Sequence, residues 1–76
     1  MKTLYSYIYF VKTKDLPKTS VWDCKNVTSH DKLGEIRWYS PWRQYCFYPT
    51  GPAVYSAGCL SDIKNFIAQL TQEKNP

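Results

Sequence analysis

The apolar residues of this chain change their period once. In several short stretches between Leu4 and Tyr48 they alternate with polar residues, while Leu60, Ile63, Phe66, Ile67 and Leu70 recur at three- and four-residue steps. Alternation lines one face of a strand, and the longer step lines one stripe of a helix. A chain of 76 residues has room for one domain. A sheet with one apolar face must cover it, and here a single helix is the only cover available. Short links between the strands favour antiparallel pairing. The expected fold is therefore α+β: a four- to five-stranded antiparallel meander sheet covered by one C-terminal helix.

The chain divides into an N-terminal strand and connector over 1–19, a sheet over 20–56 and a helix over 57–73. Leu4 to Val11 is rich in aromatic and β-branched residues and reads as the first strand, followed by a polar connector from Lys12 to Thr19. Val21 to Lys25 reads as a second strand, with Trp22 and Cys24 on one face. Leu33 to Tyr39 is the third, and its Gly34 signals a bulge or a close approach beneath a large ring. Trp42 to Tyr48 is the fourth, after the break at Ser40-Pro41, and Ala53 to Tyr55 is a short fifth. Ser56 is the natural N-cap of the helix, and Asn75-Pro76 cannot carry it far. Trp38, Phe47, Ile36, Ile63, Phe66, Ile67 and Leu70 are expected to pack together, with Trp22 at the margin.

Hydrophobic residues form 43% of the chain and aromatic ones 17%, which excludes a disordered segment. No apolar run approaches the roughly 18 residues a membrane helix needs, and Leu4 to Val11 carries three Tyr and one Ser and is followed by no small-x-small cleavage site, so no signal peptide is expected. No membrane association is expected, and the expected location is the cytoplasm. Cys24, Cys46 and Cys59 contain no C-x-x-C pair, and their spacing with the single His30 fits no compact zinc module. Free thiols follow, with no metal and no cofactor; were two of them to pair, Cys24 and Cys46 would be the candidates. The chain carries no G-x-S-x-G, P-loop, H-E-x-x-H or dinucleotide fingerprint, so no enzymatic activity is expected. An apolar, uncharged strand at Leu4 to Val11 is an aggregation hazard unless paired or covered. This makes a homodimer through that strand an expectation.

The runs Leu33-Gly34-Glu35-Ile36-Arg37-Trp38-Tyr39, Pro41-Trp42-Arg43-Gln44-Tyr45-Cys46-Phe47-Tyr48-Pro49 and Cys59-Leu60-Ser61-Asp62-Ile63 resemble a group of short uncharacterised proteins of phages and prophages. The resemblance covers about Val21 to Leu70. It implies a phage or mobile-element origin and no catalytic residue, and it leaves the Tyr-rich stretch before Lys12 without a role.

The net charge is +4, which permits a polyanionic partner, although the basic residues form no block. The candidate binding residues are Arg37, Tyr39, Arg43, Tyr45 and Lys25. Aromatic rings stack on bases and Arg pairs with phosphate, while Trp, Tyr and Arg are also the residues enriched at protein interfaces. Two functions follow. The first is a small non-enzymatic phage-type binding protein that acts by occupying the surface of a protein or ribonucleoprotein target of host or phage, as an inhibitor of host defence would. The second is a single-stranded nucleic-acid-binding module using an aromatic and basic sheet face.

Overall fold

The computed structural model describes residues 1–74; Asn75 and Pro76, expected to end the helix, lie outside the described residues. Strand β1 spans Ile8–Asp15, β2 Ser20–Asn26, β3 Lys32–Tyr39 and β4 Gln44–Pro49, and helix α1 spans Ala57–Lys74. A single 3-10 turn, Ser40–Trp42, links β3 to β4. The sheet order is β1-β2-β3-β4 with every neighbouring pair antiparallel, so the chain meanders as the short links require. No helix among the described residues is long and apolar enough to cross a membrane.

Register explains which side chains meet. Trp22 stands opposite Ile36, and Ile36 opposite Phe47; Cys24 stands opposite Gly34. These rows share one face, and α1 lies across it. Ile8, Phe10, Trp22, Cys24, Ile36 and Tyr45 of the sheet are buried against Ile63, Phe66 and Leu70 of the helix. Phe66 is the centre of this packing: its ring stacks on Phe10 at 4.0 Å and meets Trp22 edge-on at 5.0 Å. Trp22 is thus inside the core, not at its margin. Trp38, Phe47 and Ile67 pack against the core from its rim and are only partly buried. Leu60, at one end of the apolar stripe, is exposed, and Cys59 takes the inward position.

The helix begins where its capping residue predicts. The Ser56 Oγ accepts the Cys59 N–H at 3.1 Å and the Ser56 carbonyl accepts the Leu60 N–H at 3.0 Å, which satisfies two donors of the first turn. At the other end Lys74 is in the last turn, where a cation suits the helix dipole. Its Nζ donates to the Lys18 carbonyl at 3.2 Å and sits 4.6 Å from the Trp38 ring centre.

Two segments depart from the expectation. The apolar run Leu4 to Val11 is not one strand. The chain bends at Ser6-Tyr7, and β1 starts at Ile8 and runs on through the supposed connector to Asp15. Residues before the bend fold back along the free edge of β1: the Phe10 N–H donates to the Thr3 carbonyl and the Tyr5 N–H to the Ile8 carbonyl, each at 2.9 Å. The chain itself therefore covers that part of the edge, and Lys12 and Lys14 guard the rest. Ala53 to Tyr55 forms no fifth strand. The Ala53 N–H closes a turn onto the Thr50 carbonyl, and Tyr55 reaches the sheet through its hydroxyl, which donates to the Leu33 carbonyl.

All three cysteines are free. Cys24 is fully enclosed on the helix side, whereas Cys46 is opposite Arg37 on the other side of the sheet, so the two cannot reach each other. Burial, with the nearby Cys59 adding to it, pushes the Cys24 thiol up to about 12. Burial also raises the Tyr5 and Tyr55 hydroxyls. For such groups the unfolded chain releases its proton first, so stability is complete below the ordinary thiol range and declines as pH rises toward 12. A urea midpoint that falls steadily above about pH 9 is the expected result; a midpoint unchanged up to about pH 11 would contradict it. In the native protein a thiol reagent is expected to label Cys46 and Cys59 well before Cys24, as peptide mapping after brief exposure would show.

Candidate partner-binding face

One helix covers one face of the sheet and leaves the other open. Along a strand, neighbours of an inward residue point outward. Ile36 is buried, so Glu35 and Arg37 face away from the helix; Cys24 is buried, so Asp23 and Lys25 do too. The same parity sets Tyr39, Gln44, Cys46 and Tyr48 on the open face through the register Tyr39–Gln44, Arg37–Cys46 and Glu35–Tyr48.

The middle of this face holds charges of both signs. Asp23 and Glu35 are direct cross-strand partners, an unfavourable pairing of like charges. Lys32 sits between them, 3.4 Å from Asp23 and 2.6 Å from Glu35, and Arg37 approaches Glu35 at 3.5 Å. The Lys32 ammonium holds the Glu35 carboxyl below its ordinary range, with Arg37 assisting. The network neutralises the acids, and the cations still outnumber them: Lys14, Lys25, Lys32 and Arg37 stand against Asp23 and Glu35.

The β3–β4 corner holds the rings. Trp42 is 67% exposed. Its ring meets Tyr39 edge-on at 5.0 Å, and Tyr39 faces Tyr48 at 6.4 Å. The Arg37 guanidinium lies 4.8 Å from the Tyr48 ring centre. Tyr39, Trp42, Cys46, Phe47 and Tyr48 line a shallow, open hollow of about 190 Å³. Arg43 ends the 3-10 turn in the left-handed conformation, φ 52°, with its N–H on the Ser40 carbonyl at 3.1 Å. A side chain there is strained by about 1–2 kcal/mol, so Arg43→Gly is expected to leave stability unchanged or raise it by up to about 1 kcal/mol. A lower urea midpoint in that variant would show that the Arg43 side chain supports the fold.

Of the residues singled out by sequence, Arg37 and Tyr39 lie on this face at the corner, and Arg43 stands exposed at the turn that ends it. Lys25 lies on the same face farther along the sheet, opposite Tyr9. Tyr45 does not belong. It shares parity with Phe47, is 6% exposed under the helix, and its hydroxyl accepts the Ser20 N–H at 3.2 Å. The residues overlooked are Tyr48 and Trp42. Tyr48 was available from parity once Phe47 was assigned to the core; Trp42 was hidden because it reads as the first residue of a strand. Among the described residues no group of three His, Cys, Asp or Glu side chains is gathered to hold a metal.

No family model matches the chain, and no solved structure matches it. An uncharacterised 9.3 kDa protein of Acholeplasma phage L2 is 34% identical over 70 residues, which span 90% of this chain and 88% of the relative. The similarity extends past the Val21 to Leu70 stretch that carries the motifs, and it agrees with the phage resemblance read from them. Sequence shared at this level over nearly the whole of both chains shows that this protein belongs to the same family as the small phage L2 protein.

Proposed function

We propose that the protein is a binding module, with no reaction of its own, that works by occupying a partner with the open face of its sheet. The observation that carries this reading is the corner where exposed Trp42 and the half-buried rings of Tyr39 and Tyr48 stand beside Arg37, with exposed Arg43 at the adjoining turn. Rings left wet on an uncovered face contribute little to the fold and are suited to stacking. The surplus of cations on the same face favours a single-stranded nucleic acid, whose phosphates reward positive charge and whose bases reward rings. A labelled single-stranded oligonucleotide titrated at several salt concentrations tests it. Affinity is expected to fall as salt rises. Arg37→Ala with Arg43→Ala is expected to flatten the slope of log affinity against log salt by about 0.7 for each phosphate no longer neutralised. Melting should hardly change, since exposed arginines contribute little to stability. The reading fails if no salt-sensitive binding is found, or if the double variant binds like the parent.

A protein partner is the second reading. The alternation of Asp23, Lys32, Glu35 and Arg37 in the middle of the face favours it, because mixed charges complement another protein better than a run of phosphates. In a phage setting such occupation would disable a host complex, a defence assembly among them. Recovery of one host protein at fixed stoichiometry, abolished in the Arg37 and Arg43 double variant and not competed by oligonucleotide, would establish that reading in place of the first.

A further inference from the structure

We infer that the hollow between Tyr39, Trp42 and Tyr48 is a one-base subsite: a single unpaired nucleobase inserts there against the Trp42 ring, and Arg43 and Arg37 hold the phosphates on either side of it. The inference rests on the nucleic-acid reading above and adds the place where a base is held.

The hollow's size argues for one planar group. About 190 Å³ is below the roughly 300–1,000 Å³ of pockets that enclose a whole small molecule, so the occupant is a part protruding from a longer chain. Its walls argue for a ring. Tyr39, Trp42 and Tyr48 turn their rings to this face, and the largest of them, Trp42, is mostly exposed; Phe47 turns its own ring to Tyr55 on the helix side. Its charges argue against a cation. Rings arranged edge-to-face could attract an ammonium group, but Tyr48 already carries the Arg37 guanidinium at 4.8 Å. A second cation would meet its repulsion. A planar ring joined to anions suits every feature, and a nucleotide within a single strand is that.

The corner is also arranged to bracket such a unit. Arg37 is paired in register with Cys46, deep in the hairpin, and Arg43 stands at the turn, with Tyr39 and its partner Gln44 between them. Arg37 is held by Glu35 on one side and Tyr48 on the other, so its guanidinium is positioned before a ligand arrives. Preorganised donors of this kind lose less entropy on binding than a free side chain does.

The test compares two labelled strands by fluorescence anisotropy with the full chain at low salt: an oligothymidine, and a strand of equal length whose residues lack bases. Both carry the same phosphates. Oligothymidine is expected to bind about tenfold tighter or more, the size of one base–aromatic stack. Trp42→Ala is expected to remove that advantage while leaving the baseless strand's affinity unchanged, and Trp42→Phe to retain most of it. Arg43→Gly, which relieves backbone strain, is expected to weaken both strands and to flatten the salt slope. Equal binding of the two strands by the parent would overturn the base subsite while leaving a phosphate-binding face intact. This comparison needs no variant, so it stands even if Trp42→Ala folds poorly. Failure of both strands to bind would overturn the subsite and the nucleic-acid reading together. A Tyr-containing acidic peptide that binds where neither strand does would assign the hollow to a protein side chain and overturn the inference in the same way.

Discussion

Phe66→Ala is expected to leave the protein largely unfolded at physiological temperature. Phe66 has no exposed surface and joins the two halves of the fold: its ring stacks on Phe10 of β1 and meets Trp22 of β2. Buried Phe-to-Ala changes cost about 3–5 kcal/mol. Domains as a class hold about 5–15 kcal/mol, and so small a core places this one toward the low end. No neighbour can refill the gap cheaply, since the helix lies across a twisted sheet and both sides of the packing are aromatic. Thermal and urea denaturation followed by circular dichroism would measure the loss. A variant melting close to the parent would show that the helix is not fastened through this residue.

Gly34→Ala is expected to be the most damaging of the small substitutions. A Cβ at position 34 would lie 2.5 Å from the Phe47 ring tip and 2.7 Å from the Tyr48 carbonyl oxygen. The ring could swing aside. The carbonyl cannot, because it belongs to the neighbouring strand's backbone. Overpacking of this kind costs typically about 1–3 kcal/mol and sometimes more, and here it acts on β4, which carries Cys46 and Tyr48 to the open face. The variant should therefore melt lower and also bind its partner less well, whereas Trp42→Ala should weaken only the binding of a base-bearing strand and leave melting unchanged. Parental melting in Gly34→Ala would mean that β3 and β4 have room between them for a methyl group.

What the sequence made legible follows physical lines. The helix was legible because its stripe has one period and Ser56 supplies an oxygen at its start. The inner strands were legible because Trp22–Cys24 and Gly34–Ile36–Trp38 alternate, and Gly34 already signalled a ring above it. The N-terminal strand was misplaced for a definable reason. An edge strand needs partners for its backbone on one side only, so Lys12 to Asp15 can pair with Ser20 to Trp22 without any apolar side chain to announce them. The apolar residues Leu4 and Tyr5 bend back instead. On the open face, Arg37 and Tyr39 stand out by their chemistry, as does Arg43 at the turn beside it. Tyr45 was not separable from Tyr48 by residue type, since both are tyrosines in one strand, and only the strand's parity against Phe47 distinguishes buried from open. Trp42 could be placed only through the 3-10 turn, because Ser40-Pro41 can as easily begin a strand as end one.

The proposed partner sits on the open face at the β3–β4 corner. Amide chemical-shift mapping of the full chain during titration with oligothymidine locates it. The largest changes are expected at Arg37, Tyr39, Trp42, Arg43, Cys46 and Tyr48, weaker ones toward Lys25, and little on the outer side of α1. Changes centred on the exposed helix positions Leu60 and Lys64, with the β3–β4 corner silent, would contradict it.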